Sequence, residues 1–132
     1  MKYTTVLCAA ILAPSIILAD TIDGAKDVLS AWEPNSIQLE ENGTLRVVLP
    51  QRQITDTIYY ATIQAGFCLG PIFGYEMSDV KSVFILNQNE TQGWLFEGGA
   101  TACDAINNAP TETAKILVAG QSSTHTNTAN GL

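Results

Sequence analysis

The residues able to do chemistry are few. Beyond position 20 they are Cys68, Cys103, the single histidine His125, and carboxylates near predicted element ends: Glu76, Asp79, Glu97 and Asp104. A serine or cysteine nucleophile needs a base held at hydrogen-bond distance. His125 stands in a polar stretch near the C-terminus, far from any rigid predicted element, so His-dependent catalysis is not expected. The carboxylates offer general acid–base work only if two of them share a pocket that pushes their pKa values apart. Their spacing does not require this, and solvated charges at element ends are the expected reading.

Metal and cofactor patterns are absent. Cys68 and Cys103 have no Cys-x-x-Cys spacing and no nearby histidine, as a zinc or thioredoxin-type site would require. Asn87-Gln88-Asn89-Glu90-Thr91 carries one carboxylate where a calcium loop wants several, and reads as a turn. Glu97-Gly98-Gly99-Ala100-Thr101 has the glycines of a phosphate cradle without a basic residue nearby. No cofactor and no metal are expected. Asn42-Gly43-Thr44 and Asn89-Glu90-Thr91 match the N-glycosylation acceptor pattern, both on predicted turns.

The beginning of the chain reads as an address. Lys2 precedes the apolar run that starts Val6-Leu7-Cys8-Ala9-Ala10-Ile11, and Ile16-Ile17-Leu18-Ala19 ends on a small residue before Asp20. This is the layout of a cleavable secretory signal over residues 1–19, with Ile17 three residues before the cut. Pro14 and Ser15 interrupt the run, which falls short of the roughly 20 apolar residues of a spanning helix. No stable membrane insertion is expected after cleavage. Cys8 leaves with the leader, and two cysteines remain in an exported chain. They are expected to form one disulfide, Cys68–Cys103.

The 132 residues hold thirteen acidic and six basic side chains, for a formal charge of −7. Loss of Lys2 makes the exported form more acidic still. With no basic cluster, nucleic acid and anionic membrane surfaces are poor partners.

These residues need elements to position them. Ile22, Ala25, Val28, Leu29 and Trp32 recur near a period of 3.6 and predict a helix over Asp20–Trp32, ended by Pro34. Alternation in Ser36–Glu41 and Thr44–Leu49 around Asn42-Gly43 predicts a hairpin with positive φ at both turn residues. Ile54–Leu69 reads as a central helix, with Thr55 or Gln53 near its start and Gly70-Pro71 as its stop. Pro71–Asp79 is a loop containing Phe73, Tyr75 and Met77. Val80–Asn87 and Gln92–Glu97 form a second hairpin in which Trp94 and Phe96 share one face. A short helix over Ala100–Asn107 carries Cys103. Thr113–Ala119 is ambiguous between helix and edge strand.

The expected fold is therefore a single α+β domain over residues 20–120. It has an antiparallel sheet of about four strands in two hairpins, with helices packed on it. Residues 121–132 are expected to be a flexible polar tail.

The expected function is a small non-enzymatic binding or accessory protein of the periplasm or extracellular space. Phe73, Tyr75 and Met77 of the loop, with Trp94 and Phe96 of the strand, would recognise a protein or an envelope component. Two alternatives stand beside it. One is a small His-independent enzyme using Glu76, Asp79 or Glu97 as acid or base. The other is a secreted hydrolase inhibitor whose loop enters its partner's cleft.

Overall fold

A computed structural model describes residues 13–126, with side chains from residue 20 onward. The expected leader lies outside the described residues as far as residue 12. The first helix, α1, spans Ala13–Val28 and runs continuously across the expected cleavage point between Ala19 and Asp20. A 3-10 turn over Ser30–Trp32 completes the predicted amphipathic segment. It buries Ala25, Val28 and Leu29 against the sheet.

Strands β1 (Ser36–Leu39) and β2 (Thr44–Val48) form the first hairpin. Its turn differs from the expected one. The Gly43 N–H donates to the Glu40 carbonyl at 3.0 Å, and only Gly43, at φ +90°, takes the left-handed conformation. Asn42 instead accepts from the Thr44 N–H through Oδ1 at 3.0 Å. This is a longer loop closed by a left-handed glycine, rather than a two-residue turn with two positive φ values.

Helix α2 spans Asp56–Gln64, shorter than the predicted Ile54–Leu69. Thr55 caps it by accepting from the Ile58 N–H at 3.2 Å, and Asp56 stands in the first turn. The helix stops at Ala65. After Gly66 the chain makes a separate 3-10 turn over Phe67–Leu69. A side chain at Gly66 would put its Cβ 2.4 Å from the Thr62 carbonyl and 2.8 Å from Leu29 Cδ2, so the break has no room for one.

Strands β3 (Ser82–Leu86) and β4 (Gln92–Phe96) form the second hairpin. Asn87 is buried at its turn and uses its whole amide. Oδ1 accepts from the N–H groups of Thr91 and Gln92, and Nδ2 donates to the Arg52 carbonyl and to Thr91 Oγ1. Those bonds account for the segment as a turn. Helix α3 (Gly99–Asn107) follows, then α4 (Thr111–Ala119), which settles the ambiguous segment as helix.

Two sheet expectations are corrected. The sheet has five strands in the order β1-β2-β3-β4-β5, and it is mixed, because β2 and β3 run parallel. The chain leaves the far end of β2, crosses over through α2 and returns to the end at which β2 began to start β3. This β-α-β connection imposes the parallel pair. The second correction concerns the supposed tail. Ser122–Thr126 forms β5, antiparallel to β4 along its full length. Polar side chains suit it, because an edge strand with one solvated side has little apolar surface to bury.

Register arranges the sheet into two faces. One row carries Ile37, Val47, Ile85, Trp94 and Thr124, and the next carries Leu39, Leu45, Val83, Phe96 and Ser122. The helices bury their apolar residues against this face. On the opposite face the row through Arg46, Phe84 and Leu95 is half-buried. There the Arg46 guanidinium lies 5.7 Å from the Phe84 ring centre and is bonded to Glu90, and the His125 and Phe84 rings stand nearly perpendicular with centres 4.9 Å apart.

Cys68 and Cys103 stand at disulfide distance, with Cα atoms 5.0 Å apart. As expected, the pair ties the end of the central helical segment to α3.

Candidate functional site

Gly70–Ser78 connects the 3-10 turn after α2 to the approach to β3, and its shape follows from its own hydrogen bonds. The Phe73 N–H donates to the Leu69 carbonyl, the Gly74 N–H to Pro71 and the Tyr75 N–H to Gly70, at 3.0, 3.1 and 3.0 Å. The loop therefore turns back on itself. Gly74 sits at φ +90° with open space around its Cβ position, so the backbone conformation alone calls for glycine there.

Both ends are anchored. On the α3 side, Cys68 is tied to Cys103 and its carbonyl accepts from Asn107 Nδ2 at 2.8 Å. On the α1 side, the Tyr75 ring lies against Gly24, where a Cβ would be 2.7 Å from Tyr75 Cγ. The Tyr75 hydroxyl donates to the Asp27 carboxylate. That bond holds the Tyr75 phenol above its ordinary pKa, because ionisation would destroy the donor beside a negative charge. The buried Thr21 hydroxyl reaches the Glu76 carbonyl at 3.1 Å and Asp79 Oδ2 at 3.3 Å. Met77 is buried in the core.

What remains outside is an apolar pair. Ile72 is 59% exposed and Phe73 62% exposed. Large apolar side chains left this far in water forgo burial worth about 1.5–3 kcal/mol each when complete. A cleft opens on either side of Pro71. One, of about 330 Å³, is bordered by Ile72, Asp104, Asn107 and Asn108. The other, of about 200 Å³, is bordered by Tyr75, Glu76, Ser78 and Thr101.

The five predicted binding residues thus divide. Phe73 is exposed and Tyr75 is half-buried at the loop's base. Met77 and Phe96 are buried in the core, and Trp94 is half-buried, packed against that core and bordering an open cleft with Ile54, Gln92 and His125. Trp94 stacks on Tyr59 with ring centres 5.0 Å apart, and its Nε1 donates to the Ile54 carbonyl at 3.1 Å. Ile72 was not among the predicted residues. Its position beside Phe73 between Pro71 and Gly74 was the available signal.

The carboxylates also separate. Asp79 lies in a cleft with Glu40, Glu41 and Lys81 beside the first hairpin turn. Glu76 borders the smaller loop cleft and Asp104 the larger. Glu97 is exposed just after β4, where its N–H donates to the Gln121 carbonyl. No described cleft is bordered by two of these four. Among the described residues no group of three or more His, Cys, Asp and Glu side chains is placed to hold a metal. Among the same residues no helix is long and apolar enough to cross a membrane.

The buried polar arrangement that sequence reading did not anticipate is centred on Tyr59. Its hydroxyl donates to Ser122 Oγ at 2.5 Å, and Ser122 Oγ in turn donates to the Val118 carbonyl. Burial raises the Tyr59 pKa. The hydrogen bond shared with Ser122 opposes the shift, and the charges of Tyr60 and Glu97 add to it. The raised value means that above the ordinary tyrosine pKa, about 10, the unfolded chain releases this proton more readily than the folded one. Stability is then fully present below that pH and falls as pH rises through it. Urea unfolding at neutral and strongly alkaline pH is expected to show that loss, and Tyr59→Phe is expected to reduce it. An unchanged alkaline slope in Tyr59→Phe would refute this account.

Comparisons of the chain with protein-family models, with curated proteins and with solved structures found no match.

Proposed function

We propose that this chain is a small exported binding or accessory protein, and that its docking element is the Pro71–Tyr75 loop carrying Ile72 and Phe73. The observation that supports this reading most is the exposure of two adjacent large apolar side chains on a loop anchored at both ends. An anchored loop loses little further conformational entropy when a partner covers it. A cysteine pair at disulfide distance is compatible with an oxidising compartment. Together with the leader-like residues 1–19, it supports a periplasmic or extracellular location. The loop turns back through the Tyr75 N–H to the Gly70 carbonyl rather than running extended. This favours a knob entering a partner's groove over the strand-like segment of a substrate-mimicking inhibitor.

The test is site-specific photo-crosslinking in the native host. A crosslinker at position 73 is expected to capture one recurrent partner. The same group at position 116, where Ile116 is 69% exposed alone on α4, is expected to capture none. Phe73→Ser is expected to weaken that partner's binding by about 2 kcal/mol, or about thirtyfold. It is expected to change folding stability by no more than about 0.5 kcal/mol, as is usual for exposed sites. Equal capture from both positions would remove the loop from the reading.

A further inference from the structure

We infer that the loop's partner is a protein segment presenting an apolar side chain flanked by lysine or arginine. This rests on the docking reading above and adds the chemistry of the other side. The charge around the loop carries it. Glu76 borders the cleft on one side of Pro71 and Asp104 the cleft on the other. Asp27 holds the Tyr75 hydroxyl at the loop's base. Among the described residues no lysine or arginine borders either cleft. Ile72 and Phe73 thus stand as an apolar centre inside an acidic rim, on a chain of formal charge −7.

That pattern selects among possible occupants. An anionic lipid surface would accept Ile72 and Phe73 but would bring its phosphates against Glu76 and Asp104. Nucleic acid meets the same repulsion and lacks the apolar component. A second copy would set two acidic rims face to face. A cationic amphipathic segment satisfies both features at once. Exposed rim charges of this kind act chiefly on encounter rate and partner choice, while the apolar centre supplies most of the holding energy. Glu76 and Asp104 are therefore specificity residues, and Phe73 is the anchor.

The experiment uses the ¹⁵N-labelled protein with three probes: an amphipathic Lys/Leu peptide, its Glu/Leu counterpart, and vesicles of anionic phospholipid. The Lys/Leu peptide is expected to shift amide signals in residues 70–78 and in α3, and to bind about tenfold tighter than the Glu/Leu peptide. Raising the salt concentration is expected to narrow the difference. The double variant Glu76→Gln, Asp104→Asn is expected to abolish the preference while leaving binding of both peptides at the loop. Phe73→Ser is expected to remove loop binding altogether. Equal binding of both peptides at the loop would overturn the cationic partner and leave the docking loop standing. Vesicle binding through residues 72 and 73 would overturn it in favour of a membrane surface. Concentration-dependent self-association through Phe73 would overturn it in favour of a second copy. Failure of both peptides to touch residues 70–78 would take down this inference and the docking reading together.

Discussion

Phe96→Ala is expected to lower folding stability by about 3–5 kcal/mol, the range for removing a large aromatic ring from a packed core. Phe96 has no exposed surface and pairs across the sheet with Val83. Its loss opens a cavity under the helices rather than at a binding surface. Domains of this size hold about 5–15 kcal/mol in total, so the variant is left close to its folding limit. Trp94→Ala acts the same way with a smaller effect, because Trp94 is only half-buried. The Ile54 carbonyl it leaves is still served by Gln92 Nε2 at 2.9 Å, so the loss is mainly the stacking on Tyr59 and the buried ring area. Urea unfolding of the two variants beside Phe73→Ser checks the assignment. Two destabilised strand variants and one stable loop variant are expected. A stable, fully folded Phe96→Ala would show that the strand does not carry the core.

Replacing Cys68 and Cys103 together by alanine is expected to cost about 3–4 kcal/mol on the chain-entropy account, given a sequence separation of 35. For a chain of this length that corresponds to a fall of roughly 10–20 °C in Tm. The effect has a local side as well. Cys68 lies at the root of the Pro71–Tyr75 loop, so the variant frees one of the loop's two anchors and raises the entropy cost of docking. Thiol labelling of the denatured, unreduced protein gives the chemical check, with both cysteines expected to be protected. Two reactive thiols, or a double variant that melts with the parent, would refute the bridge.

Much of this fold was legible because local chemistry fixed it. Asn42-Gly43 marked a hairpin, Thr55 was one of two residues, with Gln53, that marked the start of α2, and the alternation of Trp94, Leu95 and Phe96 correctly placed the two aromatic rings on one face. The parallel β2–β3 pair was legible in principle, since a strand, a helix and a strand followed in order. Reading each hairpin as a closed unit hid the crossover between them. β5 was not legible. Ser122-Ser123-Thr124-His125-Thr126 has no apolar alternation, and its place is set by hydrogen bonding to β4 and by Tyr59 reaching Ser122. The loop was visible as a loop, but which of its apolar residues faces water was not. Gly74's left-handed backbone and the seating of Tyr75 on α1 turn Met77 inward and leave Ile72 and Phe73 outward. Only the tertiary arrangement supplies that orientation.

Strand order across the sheet is also the order in which the strands are synthesised. Every strand after the first therefore joins an edge that already exists, and none must be inserted between two earlier ones. Two of the four strand pairings, β1–β2 and β3–β4, close over tight turns, whereas the crossover through α2 and the return through α3 and α4 to β5 each ask for a long closure before their contacts form. A chain emerging N-terminus first can assemble its sheet by stepwise edge growth. The polar β5 arrives last, to cover the open edge of β4 and leave an outer edge that offers little to a neighbouring chain.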